Sequence, residues 1–118
     1  MLTKRNRFHG YGGLRYLYKN ADAARSRVMT VKYIANPRRK HARIAVVISK
    51  KVHKSAVGRN RMRRRIYEII RHELSQVNGV YDIAVIVTSG EVLAMSHEEL
   101  ATTLRDLFAQ ADLYRDRV

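Results

Sequence analysis

The 118-residue chain has no cysteine and no tryptophan, two phenylalanines and a single proline, Pro37. Without cysteine there is no disulfide framework, no thiolate metal site and no cysteine nucleophile. A reducing, cytoplasmic setting is the simplest expectation. No apolar run approaches the ~20 residues of a membrane span, so no membrane partner is expected. The opening MLTKRNRF has no apolar core behind its charges, and secretion is not expected. Acids are scarce in the first part of the chain. Residues 1–67 hold 20 Lys plus Arg against one acid, Asp22, and residues 68–118 hold four against nine. The two parts carry +19 and −5, which sum to the net +14.

Recognisable chemistry is also missing. Neither GxGxxG nor GxxxxGK[ST] occurs, so the common phosphate cradles are excluded. His9, His41, His53, His72 and His97 share no metal-ligand spacing with one another or with a carboxylate cluster. Ser49, Ser55 and Ser96 lack an evident base, and Glu98 and Glu99 read as charges at a helix N-terminus. No catalytic residue and no metal site is therefore expected in the chain. If chemistry occurs, another component performs it.

What is present is cationic. Lys50 to Arg71 reads KKVHKSAVGRNRMRRRIYEIIR, with Glu68 as its one acid. Such a concentration of like charge destabilises a compact fold unless a polyanion balances it. The segment runs into an amphipathic pattern, which puts the charges on an ordered element and points to nucleic-acid binding. A solvated basic helix face is the plainer alternative.

At this length one domain, 1–118, is expected. Residues 13–20 read as a short helix with Leu14, Leu17 and Tyr18 on one stripe. Residues 27–35 alternate, with Met29, Val31 and Tyr33 on one side and Thr30 and Lys32 on the other, as in a half-buried strand. Residues 42–49 are apolar and β-branched and read as a central strand, joined to 27–35 by a hairpin through Asn36-Pro37. Residues 50–57 form a basic loop. A helix follows over 59–77, with Met62, Ile66, Ile69, Ile70, Leu74 and Val77 facing inward. Arg61, Arg64, Arg65 and Glu68 fall opposite, and Asn78-Gly79 marks the stop. Residues 81–88 are another buried strand. Ser96-His97-Glu98-Glu99 is a capping box with Met95 and Leu100 as its staple, opening a last helix over 97–114. The whole is an α+β sandwich in the order α-β-β-(β)-α-β-α, a mixed sheet with its helices packed on one face. Tyr16, Tyr18, Tyr33 and Phe8 lie among cations, where aromatics suit stacking on unpaired bases or, equally, core packing.

Ser49-Lys50-Lys51-Val52, followed by Ala56-Val57-x-Arg59-Asn60-Arg61-x-Arg63-Arg64, resembles the RNR signature of the bacterial ribonuclease P protein subunit family. Lys4-Arg5-Asn6-Arg7-Phe8 resembles that family's opening. The likeness extends over nearly the whole chain. It implies a protein that binds a large catalytic RNA and assists hydrolytic removal of the 5′ leader from precursor tRNA. The chemistry is then done by Mg²⁺ held by RNA and substrate, and no obligate protein partner is implied. It implies RNA contacts at Lys50, Lys51, Arg59, Asn60, Arg61, Arg63 and Arg64. It also implies a leader cleft, between the first helix and the sheet, at Leu14, Tyr18 and Lys32. A left-handed β–α–β crossover around the RNR helix is implied too, against the general right-handed rule. The chain departs from the family where aromatics are common, at Leu14 and Lys32, and Ser55 reads as one extra loop residue.

Rival readings are a small ribosomal protein, a helix-turn-helix DNA binder and a stand-alone nuclease. The second lacks a partner helix before residue 50, and the third lacks paired carboxylates near the basic face.

Overall fold

The computed structural model describes residues 11–37 and 40–114, of which 11–15 by backbone alone. The elements are α1 (Tyr11–Asn20), β1 (Asp22–Arg25), β2 (Met29–Ala35), β3 (Arg43–Ile48), α2 (Ala56–Glu73), β4 (Tyr81–Val87) and α3 (His97–Gln110). Short 3₁₀ turns, Leu74–Gln76 and Gly90–Ala94, lead into β4 and α3. The α+β class and the mixed sheet stand as expected. Among the described residues, no helix is long and apolar enough to cross a membrane.

The sheet order is β1-β2-β4-β3. β4 is antiparallel to β2 and parallel to β3, with α2 as the crossover. This corrects the expected hairpin between residues 27–35 and 42–49, because β4 lies between those two strands. Strand β4 is buried almost throughout, and the inner position gives it a neighbour on each side. The hairpin that does form joins β1 and β2. At its turn the Ser26 amide donates to the Met29 carbonyl at 2.9 Å. The segment Asp22–Arg25, DAAR, has none of the β-branched residues that mark strands, and only pairing with β2 makes it one.

Residues 43–48 form an edge strand, not the central strand their composition suggests. At this edge the Val46 amide donates to the Tyr67 hydroxyl of α2 at 3.3 Å, which occupies one of the groups that further pairing would use.

Alternation divides the core. Met29 and Val31 of β2, Ile44, Val46 and Ile48 of β3, and Ile83, Val85 and Val87 of β4 face α2 and α3. On the other face Leu17 of α1 packs on Ala45 and Ala84. The helices therefore lie on both faces, which corrects the expected single helical layer. The register sets Ala23, Lys32, Ala84 and Ala45 in one row, and its alanines leave room for α1.

The helix ends differ in detail from expectation. The Ser96 capping box forms, with Leu100 buried and Met95 half-buried behind it. Helix α3 stops at Gln110 rather than 114, because Asp112 takes a left-handed conformation at φ 62°. The Leu113 amide then donates to Phe108 O and the Asp112 amide to Ala109 O, both at 3.0 Å, the pairing of a Schellman motif. No glycine or proline announces this stop. Helix α2 tightens into 3₁₀ geometry after Glu73, and Gly79, at φ 108°, serves the connection into β4 instead of capping the helix.

One buried ion pair lies on the α1 face. Asp82 of β4 accepts from Arg43 Nε at 2.9 Å, Arg43 Nη2 at 2.7 Å and Asn36 Nδ2 at 2.9 Å. Removing the Asp82 carboxylate takes two charge-assisted hydrogen bonds from Arg43 and one hydrogen bond from Asn36. Asp82→Ala is expected to lower stability by about 3–5 kcal/mol, read from the shift of the urea unfolding midpoint at constant m value. A shift below ~1 kcal/mol would show that the pair is solvated.

Candidate nucleic-acid interface

The cationic residues are held by the junction of β3 and α2. After Ile48 the chain turns, with the Ser49 carbonyl accepting from the Val52 and His53 amides at 3.1 and 3.3 Å. The turn leaves Lys50, Lys51 and Lys54 exposed. Ser55 is extended and its hydroxyl accepts the Gly58 amide at 3.2 Å, so it is the N-cap of α2. The helix begins at Ala56, three residues ahead of expectation, and the apparent extra loop residue is what starts it. The signal was half-written, because the capping-box position that favours Glu or Gln is Gly58.

Within the helix the cations have separate duties. Arg59 Nη1 donates to the carbonyls of His53 and Lys54, at 2.8 Å each, and ties the loop to the first turn. Arg63 Nη1 donates to Asn60 Oδ1 at 2.6 Å. Asn60, Arg61 and Arg64 are exposed. Arg65, expected among the outward cations, instead donates to Val92 O at 3.0 Å, Leu93 O at 3.3 Å and Met95 O. It borders the buried Met62–Ile66–Ile69–Ile70 stripe and clamps α2 to the segment before α3. The first turn of α2 contains no acid, and the partial positive charge of the helix N-terminus adds to the field.

Glu68 closes the cationic run. It accepts from Arg71 Nη2 at 2.5 Å and Nε at 3.3 Å. Hydrogen bonding to Arg71 is the main reason its carboxyl falls to about 2.

The second group lies across the sheet. Tyr18 of α1 is 38% exposed, and Lys32 Nζ sits 3.2 Å from the Tyr18 carbonyl and 5.5 Å from its ring centroid. Partial burial pushes the Tyr18 phenol above its usual range. Leu14 lies one turn before Tyr18 on α1, with its side chain outside the described residues, as is the opening Lys4–Phe8 segment. Beside Tyr18 and Lys32 the register sets Thr30, Ile86 and Val47 in a row, all half-buried. Tyr33 faces the core. Tyr16, 61% exposed, borders a cavity of about 490 Å³ with Ile34, Asn36, Pro37, Arg43 and Asp82. Its position among cations was the only sequence signal for it.

Tyr18 and Lys32, expected to line a leader cleft, are thus brought together, and so are the α2 residues, but the two groups occupy opposite faces. Among the described residues no three His, Asp or Glu side chains gather as metal ligands. The buried acids Asp82 and Glu73 each pair with an arginine, Arg43 and Arg105.

A family model described as Ribonuclease P matches residues 2–112. The chain belongs to the ribonuclease P protein family. It is 32% identical to the ribonuclease P protein component of a Pseudanabaena species, over 94% of this chain and 95% of that one. Identity to the Synechocystis component is 26%, over 95% and 90%. The solved structure of a Staphylococcus aureus RNase P protein, a mutant with defective mRNA degradation activity, matches at TM-score 0.84 and 24% identity, covering 94% of this chain and 92% of that one. An RNase P protein from Thermotoga maritima matches at TM-score 0.74 and 21% identity, over 90% and 95%. These structures share the fold. Membership of this family implies a role in an RNA-processing nuclease.

The Glu68–Arg71 contact can be tested by titration. A depressed carboxyl stabilises the fold above its unfolded value, and that contribution is lost as pH falls through the folded value. The Glu68 carboxylate is expected to titrate near 2 by NMR and to move towards the ordinary ~4.3 in Arg71→Ala. An unmoved midpoint in that variant would assign the shift to another group.

Proposed function

We propose that the chain binds the catalytic RNA of ribonuclease P through the Ser49–Arg64 segment, and the 5′ leader of precursor tRNA through the groove between α1 and the sheet. In doing so it assists removal of the leader to give the mature tRNA 5′ end. The observation that carries this reading is the display of Lys50, Lys51, Arg61 and Arg64 from one capped, anchored segment in a member of this family. Asn60 and Arg63 join them as a hydrogen-bonded pair, and Arg59 adds its charge from its anchored position on the loop.

The chain is an accessory subunit in this scheme, and the cleavage chemistry belongs to RNA-held Mg²⁺. The buried acids among the described residues, Asp82 and Glu73, are each paired with an arginine, and this scheme assigns no magnesium site to the chain. What the protein supplies is phosphate neutralisation on the α2 side and orientation of an unpaired strand on the α1 side. Folded RNA presents a dense phosphate surface to the first, and splayed bases in single strands suit aromatic platforms such as Tyr18 on the second. A base can stack on the Tyr18 ring while the Lys32 ammonium meets the adjacent phosphate.

Affinity for the RNA should fall steeply with salt, with a log–log slope of roughly 0.7–0.9 per phosphate neutralised. Alanine at Lys50, Lys51, Arg61 or Arg64 should each reduce that slope by about one such increment and leave the melting temperature unchanged. A salt-independent titration would contradict a phosphate-based interface.

Tyr18→Ala should weaken precursor-tRNA binding by the reconstituted particle roughly 5- to 150-fold, the effect of losing about 1–3 kcal/mol of stacking. Mature tRNA, which has no leader, should bind as before. The half-exposed ring is not a core side chain, so the melting temperature should hold. Equal losses for both RNAs would remove Tyr18 from the leader groove.

A further inference from the structure

Among the described glycines, two would bring an added Cβ unusually close to another residue, and both face the Ser49–Ser55 loop. At Gly90 it would lie 3.1 Å from the Val52 carbonyl oxygen. At Gly58 it would lie 2.3, 2.6 and 2.9 Å from Cε1, Nδ1 and Nε2 of His53. Gly58 lies in the first turn of α2 and has no positive φ. Its backbone conformation therefore does not call for glycine, and glycine is a poor helix former. Space is what calls for it: the imidazole fills the volume that a side chain would take, and Gly58 is buried beneath it.

The seated ring is bonded as well as packed. His53 Nδ1 accepts the Ser55 amide at 3.2 Å, the same span of two residues that an Asx turn bridges. The carbonyls of His53 and Lys54 are taken by Arg59, and the Gly58 amide by the Ser55 hydroxyl. Each of these contacts fixes the loop or ties it to the first turn of α2.

We propose that His53, seated in the space Gly58 leaves, is a positioning residue that locks the Lys50–Lys54 loop onto α2 and so presets its lysines for RNA phosphates. This rests on the RNA-binding reading above. A loop already ordered in the free protein does not lose that freedom on binding, so the lock acts on affinity without touching the RNA.

The test is Gly58→Ala in the full chain, with a bacterial ribonuclease P RNA as the probe. The substitution removes no cation and introduces a better helix former, so the melting temperature should hold or rise. Displacing the ring should speed amide exchange at Ser55 in the free protein. It should also weaken RNA binding by roughly 3- to 10-fold, the effect of losing one intramolecular hydrogen bond. His53→Ala should do the same, and the double variant should be no worse than either single one. His53→Asn placed in the Gly58→Ala background should restore binding, because the shorter side chain keeps an acceptor two residues before the Ser55 amide. Wild-type affinity in Gly58→Ala, or no recovery with His53→Asn, overturns the lock. The exchange measurement needs no RNA. Absence of binding by the wild-type chain refutes the RNA reading, and the lysine presetting with it, whereas binding with an unresponsive Ser55 amide refutes the lock alone.

Discussion

The packing of α2 against the sheet is the contact on which the rest depends. Met62, Ile66 and Ile70 are fully buried there, and Ile69 nearly so. Each such side chain contributes roughly 1.5–3 kcal/mol relative to exposure, and together they offset the mutual repulsion of the arginines on the same helix. Because α2 is also the crossover between the parallel strands β3 and β4, the burial that seats the helix sets the strand order. The Tyr67 hydroxyl accepts the Val46 amide of β3, and Arg65 fastens the helix to the segment before α3. The cations that remain outward are therefore presented from a rigid body.

The opposite face of the sheet follows a different rule. There the side chains are small or only half-buried, and α1 approaches on a row of alanines with Leu17 as its anchor. The Arg43–Asp82–Asn36 network occupies one end of that face, and the row Thr30, Ile86 and Val47 lies on the other side of the alanines. Between them Tyr18 and Lys32 meet, one from the helix and one from the strand. Among the described residues α1 is the helix that packs on this face, and Tyr18 and Lys32 are the aromatic and the cation that meet there.

The loop between β3 and α2 couples fold and interface. The carbonyls of Ser49, His53 and Lys54, the amides of Val52, His53 and Ser55, and the one imidazole are engaged locally, and the lysines project from between these contacts. Glycine at positions 58 and 90 matters here for room rather than for backbone freedom. The same loop would be an unremarkable basic linker if judged on composition alone.

By itself the sequence determined the α+β class, the amphipathic basic helix, the β2 alternation and the Ser96 capping box. It also determined the family likeness carried by Arg59-Asn60-Arg61. Each of these is a local pattern, read from spacing over a few residues. The tertiary structure alone decided the strand order, because β3 and β4 are both apolar runs and nothing local says which lies inside. It decided that DAAR becomes a strand, since pairing with β2 overrides weak propensity. It decided that Arg65 is a clamp and Arg59 an anchor while Arg61 and Arg64 stay outward, because neighbouring arginines differ only in what the fold sets within reach of their guanidinium groups. Tyr18 and Lys32, fourteen residues apart, come into contact for the same reason: only the packing of α1 on the alanine row brings them together.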